Sequence, residues 1–383
     1  MHVAGVHAVQ ATEIPIPPTA SALAAWLRLE QTDGVGLLSA HRLLDKLGSP
    51  EAIFDASREQ LLKVVKPAQA DALLRPRAST LPGQVDAVLE WRAQPGNRFL
   101  TLDHPDYPPN LREIPAAPLM LYVKGRAELL TRKSVAVVGS RNASAQGVLN
   151  AERMAQALSE AGLTIVSGLA LGIDTAAHTG GLRGAGATVA VIGTGADRIY
   201  PAANGKLARQ IAEEGCIVTE YALGTPPLRD NFPRRNRVIS GLACGVLVVE
   251  AAAKSGSLIT ARLAASQGRD VYAMPGSVHA TLAKGCHRLI REGAKLVESA
   301  ADVLEDMHMA TSGMTGLRLA VDDSFVDRVL LAFGDHPARA DMLAVRLGQG
   351  AAELQVQLLA LELAGLIERL PGGLFQRLRS EGD

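Results

Sequence analysis

The chain has 383 residues and carries 39 basic and 39 acidic side chains, so its net charge alone points to no charged partner. Its 48% hydrophobic and 20% charged residues are typical of a globular protein, and the length allows two or three domains. Three cysteines without metal-ligand spacing indicate a reducing, cytoplasmic compartment. The scattered histidines predict no metal site, and no apolar run or signal pattern predicts a membrane segment.

The charge is unevenly distributed along the chain. Residues 1–129 contain 13 Lys/Arg and 14 Asp/Glu, residues 130–300 contain 19 and 12, and residues 301–383 contain 7 and 13. The middle segment is therefore positive by seven charges, while the last segment is negative by six. We expect a site for a polyanion, if there is one, in the middle of the chain.

The N-terminal region divides into a tail and a helical segment. Residues 1–19 include a proline-rich stretch and predict a flexible tail, whereas residues 20–95 show helical apolar spacing. The turn at residues 32–36, TDGVG, resembles the hairpin of helix-hairpin-helix and SAM-like domains. Such a turn can offer amides to a DNA phosphate or can simply connect two helices, and both interpretations stay open.

The central segment alternates β-rich runs with helical patterns. Nearly continuous Val/Ile runs predict strands that are buried on both faces, as in a parallel sheet between helix layers. We therefore predict an α/β domain at 105–305, with an extended Rossmann-like, doubly wound and mainly parallel sheet. The predicted strands are residues 135–138, 164–166, 188–192, 217–219, 245–249 and 271–274.

The C-terminal part predicts a linker at 306–319 and a winged-helix-like domain at 320–383. The apolar pattern of that domain gives three helices followed by a two-stranded wing around Pro371-Gly-Gly373. Its third helix, 352–364, contains no Lys or Arg, although a helix that reads DNA normally offers basic or amide side chains. This favours a protein-contact or regulatory module.

Glycine-rich turns follow several of the predicted strands. Ligands of open α/β sheets bind beyond the carboxyl ends of the strands, where glycines allow close approach and helix N-termini attract anions. Together these turns predict a phosphate-binding rim. The turns are Gly139-Ser140-Arg141, Ser167-Gly168, Gly193-Thr-Gly195 and Lys254-Ser255-Gly256.

An arginine cluster lies between the fourth and fifth predicted strands. Arg229, Arg234, Arg235 and Arg237 surround one aromatic residue, Phe232. Guanidinium groups bind phosphate oxygens, and an aromatic ring or an Arg plane can stack on an unpaired base. The cluster can also be an ordinary solvated turn, but the glycine turns around it favour binding.

Catalytic candidates are few. The sequence has no GxxxxGK[ST], and the first turn does not read GxGxxG, so a dinucleotide cofactor is not favoured. Asp174 and His178 stand one helical turn apart and either form a catalytic pair or are structural residues. Glu220 and Glu250 either act in acid–base chemistry or hold neighbouring loops.

Several motifs of the central segment resemble the DprA/Smf family of DNA-processing proteins. They are GSRxxSxxG from Gly139, SGLAxGIDxxAH from Ser167, GTGxDxxYP from Gly193, FPxRNRxISGL from Phe232, VVEAxxKSGSLITA from Val248 and GCHRLIREGA from Gly285. The resemblance covers roughly residues 105–305. It implies a protein that binds single-stranded DNA, is not an enzyme and needs no cofactor. It further implies a homodimer that protects incoming DNA during natural transformation and loads the RecA recombinase.

The resemblance also places DNA contacts on matched positions. Arg141 corresponds to the DNA-contacting arginine of the first turn, and Arg229 to a basic position that is often lysine. Two positions depart from the family pattern, Gln146 and Ala243, and neither removes a charge. The complete predicted DNA-binding set is Gly139, Ser140, Arg141, Ser167, Gly168, Arg229, Phe232, Arg234, Arg235, Asn236, Arg237, Lys254, Ser255 and Gly256.

Two other functions are compatible with the pattern. The first is a nucleotide-processing enzyme of related fold, of the phosphoribohydrolase type. Of its signature PGGxGTxxE, this chain has only the first two residues, Pro275-Gly276. The second is a structural adaptor in which the helical and winged modules carry the function. Nucleotide hydrolysis would favour the first alternative, and loss of strand binding from the central segment would favour the second.

Overall fold

A computed structural model describes residues 19–309 and, in the C-terminal part, residues 329, 332–333, 337–348, 350, 354, 358, 361–362, 366–370 and 374–377. The chain divides into two compact units at residue 310. The predicted tail lies outside the described residues except for Thr19, whose hydroxyl accepts a hydrogen bond from Ala22 N at 3.2 Å and caps the first helix.

The predicted helical segment is confirmed and contains six helices. Their apolar faces form one core with residues of the first two strands, where Tyr122 packs edge-on against Trp91 and Phe99 at ring-centroid distances of 5.6 and 5.0 Å. The helices and the sheet therefore share one unit, and where the domains divide stays a prediction. The helices are α1 Ala20–Glu30, α2 Leu37–Leu47, α3 Pro50–Asp55, α4 Arg58–Leu62, α5 Pro67–Leu73 and α6 Leu81–Arg92.

Within residues 19–309, nine strands form one sheet in the order β1-β2-β6-β5-β4-β3-β7-β8-β9. The strands from β3 to β9 pair in parallel, and β2 joins β6 and β1 in antiparallel pairs. This confirms the mainly parallel sheet and adds three strands at its edges. The strands are β1 Asn97–Thr101, β2 Met120–Gly125, β3 Ser134–Val138, β4 Thr164–Ser167, β5 Thr188–Val191, β6 Cys216–Thr219, β7 Gly245–Val248, β8 Asp270–Ala273 and β9 Lys295–Leu296.

Helices cover both faces of the sheet, which explains the unbroken apolar runs. In β3, Ala136 and Val138 face one layer, whereas Val135 and Val137 face the other. One layer contains α8 Ala145–Glu160, α9 Ile173–Gly181, α10 Gly205–Glu214 and α14 Ala300–Asp306, and the other contains α11 Asn231–Leu242, α12 Ser257–Ser266 and α13 Lys284–Arg291. Short elements complete the unit: α7 Pro109–Arg112 and 3-10 turns at Ala127–Thr131, Ala202–Asn204 and Thr281–Ala283.

The beginning of the predicted linker differs from the sequence interpretation. α14 continues to Asp306, and Met307 is buried against the sheet together with Val303 and Leu304. The apolar spacing of these three residues is that of one helix face, so residues 306–309 belong to the first unit. The remaining predicted linker, from 310, lies outside the described residues. In the part of the chain that the structure describes, no helix has both the length and the apolar character needed to span a membrane.

The second unit contains the predicted wing. Strands β11 Ile367–Leu370 and β12 Leu374–Arg377 pair in antiparallel fashion, and β12 also pairs with β10 Ala338–Arg339, which leads into α15 Ala340–Leu347. The two-stranded wing is thus confirmed. Of the predicted third helix, the described residues 354, 358, 361 and 362 are helical, and the rest of 352–364 lies outside the described residues.

Candidate nucleic-acid interface

The sheet creates a crevice at the point where the order of its strands reverses. From β3 the chain moves to β4 on one side, and from β7 it moves to β8 on the other, although β3 and β7 are neighbours. Loops leaving adjacent strands in opposite directions leave a gap at the carboxyl ends, which is the usual ligand site of this architecture. Here the gap is a cleft of about 450 Å³, called the strand-end cleft below.

Most of the predicted site residues meet in this cleft. Loops after β3 and β7 and the first turns of α11 provide its walls, and Ser140 N donates to Glu250 O at 2.7 Å, which ties the two loops together. The predicted residues that line it are Gly139, Ser140, Arg141, Phe232, Arg235, Asn236, Lys254, Ser255 and Gly256.

The strand-end cleft presents two exposed cations. Arg141 and Lys254 are exposed, and within the described residues neither side chain makes a hydrogen bond or an ion pair. Nearby carboxylates are used elsewhere: Glu250 accepts from Ser144 N at 2.9 Å and from Ser144 Oγ at 2.5 Å. The net field at the mouth therefore favours an anion.

Phe232 lines the strand-end cleft and packs against a second aromatic ring, Tyr200. The Phe232 ring lies 5.8 Å from the Arg141 guanidinium carbon and 5.4 Å from the ring centroid of Tyr200, with an interplanar angle of 42°. Tyr200 is 46% exposed, so part of the aromatic surface of this pair is open to a ligand. The sequence interpretation missed Tyr200, although it lies in the quoted GTGxDxxYP motif and is an aromatic residue next to a strand-end turn.

Glycine is required where the first turn passes beneath α9. A Cβ on Gly139 would lie 2.6 Å from Ile173 Cγ1 and 2.9 Å from Glu250 O, so any side chain would push the loops apart. The turn thus keeps its backbone close to the neighbouring loops, and Arg141 is carried out to the mouth of the cleft.

Arg235 corrects part of the sequence interpretation. It is only 4% exposed, and its Nη1 donates to Gly168 O at 2.6 Å and to Val191 O. Burial lowers its pKa to about 10, whereas burial raises the pKa of its neighbour Asp174, and the opposite charges partly offset both effects. The Arg235 guanidinium thus ties the loop after β4 to the end of β5 and does not reach toward a phosphate.

The other five predicted residues lie outside the strand-end cleft lining. Ser167 is buried and donates to Val137 O at 2.7 Å, and Gly168 packs against Arg235. Arg229 is exposed, but it does not line the cleft. Arg237 is mostly shielded, donating to Glu220 Oε2 and Ala116 O, and it lines a second cleft on the other side of α11. Arg234, also exposed, lines that second cleft as well.

The contacts of Asp174 and His178 match their structural interpretation. His178 Nε2 accepts from Leu169 N at 3.2 Å, and its Nδ1 lies 2.7 Å from Thr188 Oγ1, which itself donates to Ile165 O. The ring is therefore neutral with its proton on Nδ1, and burial lowers its pKa to about 3. Asp174 accepts from Ala170 N at 3.3 Å, so both side chains secure the loop after β4.

Comparison with known proteins agrees with this architecture. Residues 98–308, more than half of the chain, match the family described as DNA recombination-mediator protein A, and residues 320–373 match the DprA winged helix domain. The chain belongs to the DprA/Smf family of DNA-processing proteins. It is 41% identical over 307 residues to Protein Smf of Escherichia coli, covering 77% of this chain and 81% of that protein.

Other members of the family extend the comparison. DNA processing protein DprA of Streptococcus pneumoniae is 51% identical over 221 residues, which is 58% of this chain and 78% of that protein. A crystal structure from that organism has a TM-score of 0.65 at 37% identity and covers 76% of this chain and 99% of its own. A Helicobacter pylori structure, titled for its single-stranded DNA binding mode, has a TM-score of 0.51 at 28% identity, covering 55% and 96%.

Proposed function

We propose that this protein binds single-stranded DNA in the strand-end cleft and acts as a recombination mediator without enzymatic activity. The observation that carries the proposal is the convergence of Arg141, Lys254 and Phe232 on one cleft whose backbone turns are rich in glycine and serine. Cations hold the phosphates, and the open aromatic face stacks on an unpaired base. Both features suit a strand whose bases are not already paired.

Base accessibility is the reason to favour single strands over a duplex. In a duplex the base faces are stacked inside, and the aromatic pair of Phe232 and Tyr200 would have no partner. The two long exposed side chains of the cleft, Arg141 and Lys254, are cations that suit phosphates. Binding should therefore depend strongly on salt and weakly on sequence.

The direct experiment compares single- and double-stranded oligonucleotides of the same sequence in a mobility-shift assay with the full chain. We expect a clear preference for the single strand that weakens with added salt and is lost with Phe232→Ala. Equal affinity for both forms, or turnover of a nucleoside monophosphate, would contradict the proposal. The second outcome would favour the phosphoribohydrolase-type enzyme.

Family membership supports an extension of this proposal to the partners. We propose a cytoplasmic homodimer that protects incoming DNA in natural transformation and transfers it to the RecA recombinase. Light scattering should give twice the monomer mass at tens of micromolar protein. The full chain should accelerate RecA-dependent strand exchange on single strands, and an Arg141→Ala variant that dimerises normally should not.

A further inference from the structure

A second cleft lies on the opposite side of α11 from the strand-end cleft. It has a volume of about 520 Å³ and is bounded by the end of α1, the N-terminus of α2, residues 119–120 and residues after β6. The glycine turn at 32–36, singled out in the sequence, leads directly into it. The charged and aromatic residues of its lining are Glu30, Glu220, Tyr221, Arg234 and Arg237.

Glu220 leaves an unmet hydrogen bond at the second cleft. Its Oε2 pairs with Arg237, but its Oε1 is shielded from solvent and, among the described residues, has no hydrogen-bond partner. The other hydrogen bond of Arg237 runs from Nη1 to Ala116 O, and within the described residues none of its N–H groups reaches Oε1. A buried acceptor without a donor is costly, so a ligand that brings an N–H group would be favoured here.

The opposite wall of the second cleft attracts an anion. Gly36 is the N-cap of α2 and provides no side-chain cap, and the N–H groups of Leu37 and Leu38 have no acceptor among the described residues. These free amides lie at the positive end of an eleven-residue helix. Arg234 is exposed on the same cleft, and within the described chain its guanidinium makes no ion pair.

Glu30 is the group that would oppose an anion here. The residue as a whole is exposed, but its carboxylate borders the cleft, where desolvation and then the neighbouring Glu220 raise its pKa to about 7. Near neutral pH this carboxylate is therefore only partly charged. Its repulsion of a phosphate is correspondingly reduced.

The two requirements together describe one class of ligand. A nucleotide carries a phosphate for the amides of α2 and for Arg234, and its base carries an N–H or amino group for Glu220 Oε1. The two clefts are also adjacent: Pro233 lines the first and Arg234, the next residue, lines the second. We propose that the second cleft is a further nucleotide subsite that binds the same single strand after it crosses the N-terminal turn of α11. This rests on the proposed function of the strand-end cleft.

The test measures how affinity depends on strand length. Fluorescence anisotropy with the full chain would compare oligothymidines of about 6 and about 20 nucleotides, a range that spans known single-strand site sizes. Short strands report the strand-end cleft, and the gain on lengthening reports the second cleft. Arg234→Ala should bind the short strand like the parent and the long strand roughly tenfold more weakly. Arg141→Ala should weaken both.

Gly36 provides a matched pair of variants. A Cβ at Gly36 meets no atom within 4 Å, and its φ of −77° suits any residue. Gly36→Asp and Gly36→Asn both cap α2, but only Asp places a negative charge at the phosphate position. We expect Asp to fold at least as stably as the parent and to lose the long-strand gain about tenfold, while Asn loses less.

The outcomes separate the two proposals. If Arg234→Ala and Gly36→Asp bind long strands like the parent while Arg141→Ala weakens both lengths, the second subsite is refuted and the strand-end cleft stands. If Arg141→Ala leaves short-strand binding unchanged, the location proposed for DNA in the strand-end cleft is wrong. If Arg234→Ala and Gly36→Asp lose the gain in affinity on lengthening the strand, but bind the short strand like the parent, the second subsite is supported.

Discussion

Replacing Arg141 with alanine gives the sharpest test of the strand-end cleft. The side chain is exposed and, within the described residues, makes no hydrogen bond or ion pair; its guanidinium carbon lies 5.8 Å from the Phe232 ring. An exposed contact of this kind contributes roughly 0.5–1 kcal/mol. The free energy of unfolding should therefore change by less than about 1 kcal/mol, so any loss of DNA binding reports the site and not the fold.

The expected loss of affinity follows from one charge-assisted contact. Such a contact contributes about 1.5–3 kcal/mol, so Arg141→Ala should weaken single-strand binding about ten- to hundredfold. The slope of log affinity against log salt should become flatter by about 0.7 for one lost phosphate contact. The loss should be similar for different sequences, because a phosphate contact carries no base information.

The assay is fluorescence anisotropy with labelled oligonucleotides between about 50 mM and about 200 mM salt, where counterion release is measurable. Arg153→Ala is the matched control, since Arg153 is exposed on α8 and does not line the cleft. If Arg141→Ala is folded and binds like Arg153→Ala, the DNA lies on another surface. Arg229→Ala should fall between the two, because Arg229 is exposed but lies outside the cleft lining.

Three further predictions concern the scaffold and the C-terminal unit. Arg235→Ala should lower the free energy of unfolding in urea by about 3–5 kcal/mol, because it removes a buried charge that Asp174 offsets; a loss under about 1 kcal/mol would contradict its anchoring role. Burial lowers the pKa of His178 to about 3, so below pH about 6.5 the imidazole takes up a proton only in the unfolded chain. The free energy of unfolding should therefore fall by roughly 2 kcal/mol from pH 7 to 5. The His178→Gln variant should be less stable than the parent. Urea unfolding at both pH values should show that its free energy of unfolding lacks this part of the pH dependence. Removing residues 320–383 should change single-strand affinity by less than about tenfold in the same anisotropy assay, and a larger loss would place DNA contacts in the winged-helix segment.

The sheet was predictable where its strands are buried on both faces. Runs such as Val135–Val138 have no polar alternation, and helical patterns between them indicate a parallel sheet. The edge strands lack this context: β1 and β2 pair in antiparallel fashion and are not framed by a βαβ pattern. Their apolar residues pack partly on the N-terminal helices, and that tertiary contact could not be read from local spacing.

The site was predictable as a set of residues but not as a surface. The sequence interpretation assigned no helix to the arginine cluster, whereas residues 231–242 form α11. On a helix, residues three or four apart share a face. Phe232 and Asn236 thus turn to the strand-end cleft, while Arg234 and Arg237 turn to the second cleft. Predicting a helix over residues 231–242 would have divided the cluster correctly between the two clefts.

The same helix bears on how a chain of zero net charge would hold the polyanion proposed above. Two of the clustered arginines are used inside the protein: Arg235 binds carbonyls beside Asp174, and Arg237 pairs with Glu220. Their charges position the loops, and a phosphate would gain little from them because each is already balanced. The attraction must come from the exposed cations, Arg141, Lys254 and Arg234, whose side chains have no ion pair within the described residues. Neighbouring residues therefore have different roles: the buried arginines anchor the loops, and the exposed cations provide the charge at the rim. Counting arginines in the sequence overstates the charge that DNA can meet.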